Sequence, residues 1–121
     1  MLKIKLMRLL LATSIISVML SACAGTKNVQ DSVPSCITDM ITKFKSEIRQ
    51  NPPRSITQYS WNGRKVYYVT SPCCDQFNVV YDSACNVLGS PDGGFTGKGD
   101  GKLPGFADKA TDAKLIWKDE R

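Results

Sequence analysis

No histidine occurs anywhere in the 121 residues. Its absence removes the usual general base near neutral pH and the commonest transition-metal ligand. No CxxC pair occurs either, so neither a zinc-ribbon spacing nor a redox-active dithiol motif is present. Lys98 is followed by Gly99, with no helix pattern beyond, so the glycine-rich stretch fails both the GxxxxGK[ST] phosphate cradle and dinucleotide-binding logic. The Asp-x-Asp-x-Asp-Gly run of an EF-hand, with its terminal Glu, is missing. There is no internal repeat. Cys73 and Cys74 are the candidate nucleophiles and Asp75 the candidate acid or base, but nothing in the pattern would activate them. A protein that is not an enzyme, with no resident cofactor, is expected.

What is present first concerns address. Met1 to Arg8 carries Lys3, Lys5 and Arg8 without an acid, and Leu9 to Leu20 is almost wholly apolar. That is the basic and apolar part of an export signal, too short for a stable membrane span. It ends in Leu20-Ser21-Ala22-Cys23, which resembles the lipobox of bacterial lipoproteins. The resemblance implies a signal peptide over residues 1–22, cut before Cys23, with acyl chains attached to that cysteine. Each buried CH₂ contributes about 0.8 kcal/mol, so two or three chains anchor durably where one would not. Ala24 stands where an Asp would retain an enterobacterial lipoprotein at the inner membrane, so the expected place is the cell envelope, at the outer membrane. Residues 23–31 form the lipidated tether, whose eight residues after Cys23 reach roughly 15 Å as a flexible coil. Loss of the three signal cations takes the 16 Lys and Arg to 13 against 11 acids. The basic balance is thus a targeting feature, and nucleic acid is not an expected partner.

Residues 32–121 read as one small α+β domain: an amphipathic helix on a four- to five-stranded antiparallel sheet, with a long glycine-rich loop and disulfide staples. In Ser32 to Gln50, Ile37, Met40, Ile41, Phe44 and Ile48 recur at helical spacing, with Ser32 or Ser35 as the cap. Asn62-Gly63 between two β-prone runs predicts a type I′ hairpin pairing Ile56 with Val69, Thr57 with Tyr68, Tyr59 with Val66 and Trp61 with Arg64. Tyr59, Trp61, Val66 and Tyr68 then share one face, and Ile56, Tyr67 and Val69 the other. Either both faces are partly covered, which we favour, or an aromatic face is open to a ligand. Phe77 to Tyr81, Asn86 to Leu88 and Leu115 to Trp117 read as further strands. An even set of cysteines, Cys36, Cys73, Cys74 and Cys85, predicts two disulfides. Strand alternation would point Cys73 and Cys74 apart, so Cys36 is expected to join one of them and Cys85 the other.

The loop from Pro91 to Lys102 holds Asp92, Gly93, Gly94, Phe95, Gly97, Gly99 and Asp100, and is the possible ligand loop. Its conformation must come from glycine dihedrals, Asp hydrogen bonds or a ligand, with Phe95 and Phe106 as expected pins to the core. Calcium held by Asp92 and Asp100 is the alternative ligand reading. Asn62-Gly63 with VYYV, then PCCDQFNVVYD, PDGGFTGKGDGK and LIWKDER resemble a family of small exported bacterial proteins of the Bacteroidota type, of uncharacterised function. The resemblance spans most of Pro53 to Arg121 and implies an envelope address and no reaction. That family places cysteines just before PDGG and just after GDGK, where this chain has Gly89 or Ser90 and Leu103, so no disulfide pattern carries over. The expected function is a non-catalytic envelope lipoprotein, held to the membrane by its lipid, that binds an unknown protein or glycan partner. The alternative is a calcium- or carbohydrate-binding accessory module using the Gly/Asp-rich loop.

Overall fold

The computed structural model describes residues 31–121; the expected signal peptide, Cys23 and the tether up to Gln30 lie outside them. Helix α1 (Ser35–Ser46) is followed by strands β1 (Ser55–Trp61), β2 (Arg64–Val69), β3 (Phe77–Asp82) and β4 (Val87–Gly93). A short helix α2 (Phe106–Lys109) and strand β5 (Thr111–Lys118) complete the chain. The strands form one antiparallel sheet in the order β4-β3-β2-β1-β5.

The β1–β2 hairpin has the register that Asn62-Gly63 predicts, from Ile56 opposite Val69 to Trp61 opposite Arg64. Asn62 and Gly63 both take positive φ, 48° and 73°, as a type I′ turn demands. Alternation then sorts the side chains as expected. Ile56, Tyr67 and Val69 pack with Ile37 and Phe44 of α1, while Trp61, Val66 and Val80 pack with Phe106 on the other face. Both faces are therefore covered.

Several elements end elsewhere than expected. Helix α1 stops at Ser46 instead of Gln50, and Ile48 leaves the apolar stripe to stand 87% exposed. Its N-cap is Pro34, with no side-chain cap bond, in place of Ser32 or Ser35. The Pro34 carbonyl itself accepts from the amides of Ile37 and Thr38 at 3.0 and 3.1 Å. Strand β4 runs on to Gly93, where only Asn86 to Leu88 was expected, and β5 begins at Thr111 well before Leu115. Backbone pairing to β3 and β1 extends both strands through residues too polar or too small to signal a strand by hydrophobic alternation.

Cys36 pairs with Cys85, and Cys73 with Cys74, which corrects the expected pairing. The expectation placed Cys73 and Cys74 on a strand. They lie in the turn between β2 and β3, Cys74 at φ 54°, where side chains do not alternate. The staple from α1 to the sheet side is present, with Cys85 in the β3–β4 turn as its other end. With 49 residues of separation, loop-closure entropy gives this link about 4 kcal/mol of stabilisation.

The end of α1 is held by the C-terminus of the chain. The Arg121 guanidinium donates to the carbonyls of Lys45 (2.7 Å), Glu47 (3.2 Å) and Phe44 (3.3 Å) around the helix end, the last of which also accepts from the Glu47 amide at 3.2 Å. The buried Asp119 carboxylate orients that guanidinium, accepting from Nε at 2.8 Å and Nη2 at 2.7 Å. The Asp119 amide donates to the Arg54 carbonyl at 2.9 Å, and the Arg54 guanidinium lies 3.3 Å over the Phe44 ring. Hydrogen bonds from Arg121 hold the Asp119 carboxyl down at about 2.

A depressed carboxyl stabilises the fold fully above its unfolded value, near 4, and the contribution is lost as pH falls towards 2. Thermal melts from pH 7 to pH 2 should show the wild type losing stability across that window. Asp119→Asn should be less stable at pH 7 and show a shallower fall between pH 4 and pH 2. Parallel curves for the two proteins would refute the role given to this carboxylate.

Candidate functional site

Strand β4 is one edge of the sheet and β5 the other, so the chain between them must cross a sheet face. It crosses the face opposite α1, and glycine dominates the route. Gly93, Gly94, Gly97, Gly99, Gly101 and Gly105 all take positive φ. At Gly99 the requirement is also steric, because an added Cβ would strike the Ser90 carbonyl and lie 2.8 Å from the Asp92 amide nitrogen. The connection is folded tightly against β4.

Two carboxylates hold it there. Asp100 accepts from the backbone amides of Ser90 and Lys102, each at 3.0 Å, while its own amide donates to the Ser90 carbonyl at 2.9 Å. The two amides, that of Lys102 first, hold the Asp100 carboxyl below the usual carboxylate range. Asp92 sits opposite Asn78 in the β3–β4 pairing. Its Oδ1 accepts from Asn78 Nδ2 at 2.7 Å, and both its oxygens accept from the Tyr68 hydroxyl at 2.9 and 3.0 Å. The Asn78 side-chain Oδ1 in turn accepts from the Ser71 backbone amide at 2.7 Å, which fixes the orientation of the side-chain amide. Burial, followed by the bond to Asp92, keeps the Tyr68 hydroxyl protonated far above the ordinary phenol range.

Of the two expected pins, only Phe106 enters the core, where its ring lies 5.6 Å from Tyr59, 5.1 Å from Trp61 and 6.5 Å from Tyr68. Phe95 stands 89% exposed at the loop tip, a correction that follows from the chain turning back at Gly97. Where the connection meets the aromatic face, Tyr59, Tyr68, Pro91, Asp92, Phe106, Ala107 and Ala110 enclose a cavity of about 310 Å³. A second hollow of about 280 Å³ adjoins it across Pro91, Phe106 and Ala107, with Lys98 and Asp108 in its wall. A larger groove, about 590 Å³, runs along α1. Asp39, Lys43, Glu47 and Arg54 line it, the last two paired at 3.3 Å; the aromatic cavity, with one fixed carboxylate among apolar walls, is the better candidate.

The sequence reading brought Asp92 and the Tyr59–Tyr68 face forward separately, and the fold joins them. Gly93, Gly94, Gly97, Gly99 and Asp100 shape the connection without lining the cavity. Asn78, Phe106, Ala107 and Ala110 were missed as site residues. Nothing local marked Asp92 as the partner of Asn78. Among the described residues, no group of three or more His, Cys, Asp or Glu side chains converges as a metal site would need.

Fold and site together define a small disulfide-linked α+β domain, its sheet faced by a helix on one side and by a glycine-rich crossing with an aromatic cavity on the other. The chain belongs to the family described as domain of unknown function DUF6970, whose model matches residues 42–119. Searches of curated proteins and of solved structures find no match.

Gly99→Ala tests the tight crossing. Positive φ and the backbone clash should together cost at least about 2 kcal/mol in urea denaturation. Gly97→Ala meets no neighbour within 4 Å and should bear only the dihedral strain. Equal losses at the two positions would contradict the close approach described here.

Proposed function

We propose that this protein is a non-catalytic lipoprotein of the bacterial cell envelope, a binding module whose ligand seats where the glycine-rich connection meets the aromatic sheet face. The observation that carries the reading is the cavity formed by Tyr59, Tyr68 and Phe106 with the Asp92 carboxylate in its wall. Concave sites with apolar walls and a few fixed polar groups are where proteins hold ligands. A non-catalytic role draws support from the chemistry at hand. The chain has no histidine, its Tyr68 hydroxyl stays protonated, and all four cysteines of the described residues are paired. The anchor rests on the apolar run followed by Leu20-Ser21-Ala22-Cys23.

Calcium is the less favoured ligand. Oδ1 of Asp92 is taken by Tyr68 and Asn78 and Oδ1 of Asp100 by two backbone amides, and among the described residues no third acidic side chain joins them to complete the oxygen-rich shell that calcium takes. The internal bonds support a mainly structural role for Asp100 and a shared one for Asp92.

Two measurements test the reading. Intact mass of the protein taken from membranes should show a mature chain beginning at Cys23 with added acyl mass, and Cys23→Ala should lack both. An unmodified Cys23 would end the lipoprotein assignment. Melting temperature should rise with one class in a panel of soluble glycans and amines and not with calcium, and Ala107→Trp, which fills the cavity, should remove the rise. A calcium-induced rise that Asp92→Asn and Asp100→Asn both abolish would replace this reading with a metal-dependent module.

A further inference from the structure

We propose that the aromatic cavity receives a cationic group, an alkylammonium or its methylated form, carried by a larger molecule. The proposal rests on the reading of this cavity as the binding site and names the chemistry it selects. Asp92 is the one charged residue among the described residues that line it. Its carboxylate is partly buried, and no Lys or Arg of the described residues lies within ion-pair distance of it. Oδ1 is taken by two donors, but Oδ2 accepts from the Tyr68 hydroxyl alone and keeps a lone pair in reserve.

The rest of the wall points the same way. Three aromatic rings line the cavity, and aromatic π systems attract a cation, more strongly once water is excluded. Tyr59 meets both Tyr68 and Phe106 edge to face, so the rings brace one another and need little reordering to receive a guest. An anionic group would meet the Asp92 charge and a tyrosine hydroxyl whose proton is already committed. A sugar would gain stacking but leave the carboxylate charge without a counterpart. At about 310 Å³ the cavity suits a head group better than a whole ligand.

Titration calorimetry of the full lipid-anchored chain in a non-ionic detergent tests this with choline, its neutral isostere 3,3-dimethyl-1-butanol, and N-acetylglucosamine. Choline should bind saturably, and the neutral isostere at least roughly tenfold more weakly. Asp92→Asn should weaken choline by about tenfold. Because Asp92 also holds Tyr68 and Asn78, Tyr59→Leu supplies an independent loss that leaves those bonds in place, and Ala107→Trp should abolish binding. If the isostere binds as well as choline, or the sugar binds in its stead, with Ala107→Trp blocking either, the cation inference is overturned while the cavity remains the binding site. If no probe binds, or if Ala107→Trp leaves binding unchanged, both the inference and the reading beneath it fall.

Discussion

A sheet with large apolar side chains on both faces must have both covered, and this domain has only one helix of useful length with which to do it. Ile56, Tyr67 and Val69 take α1, leaving Trp61, Val66 and Val80 to be shielded by something else. The strand order supplies the cover. With β4 and β5 at opposite edges, the connection between them has to traverse the open face, and Phe106 drops from it into the aromatic cluster. Burying a ring of that size contributes about 2–3 kcal/mol, a large share of a small domain's net stability. Much else in the structure serves this crossing: the glycines that let the chain turn sharply, Asp100 that ties it to β4, and Asp92 that joins β4 to Tyr68.

The opposite layer is secured by a different device. Helix α1 is short, lacks a side-chain N-cap, and would be marginal alone. Three long-range ties compensate: the Cys36–Cys85 link near its start, Ile37 and Phe44 in the core, and Arg121 on its terminal carbonyls. The last tie depends on Asp119, whose buried carboxylate uses both oxygens on the Arg121 guanidinium. The chain's final residues therefore close the helix layer, as the β4–α2 connection closes the other.

Elements whose information is local were legible in the sequence. The Asn62-Gly63 turn set the hairpin register, and from it the division of the aromatic residues between two faces followed. The spacing of Ile37, Met40, Ile41 and Phe44 did the same for α1. What escaped depended on distant partners. The helix ends at Ser46, where Arg121, 75 positions further on, donates to the last carbonyls, although the apolar periodicity continues to Ile48. Strand β4 reads as a loop because Gly89, Ser90, Pro91 and Asp92 have no strand-like side chains, and only pairing with β3 makes them one. The disulfide partners were misassigned because Cys73 and Cys74 were placed on a strand that does not begin until Phe77. The site was half visible: Asp92 and the tyrosine face were both singled out, but their meeting depends on the crossing, which no local pattern announces.

That meeting explains why the residues that shape the loop and those that would touch a ligand are mostly different. Gly99 and Asp100 work on the side of the connection that faces β4, where backbone approaches backbone and any added atom collides. Ala107 and Ala110, being small, leave room beside Phe106 that larger residues would fill. Asp92 alone belongs to both groups, bonding inward to Tyr68 and Asn78 while lining the cavity. A ligand drawing on Oδ2 would therefore pull on the same carboxylate that joins β4 to β2 and β3. A ligand bound there would stabilise the folded sheet edge by mass action, and loosening that edge would weaken binding, because both depend on where Asp92 is held.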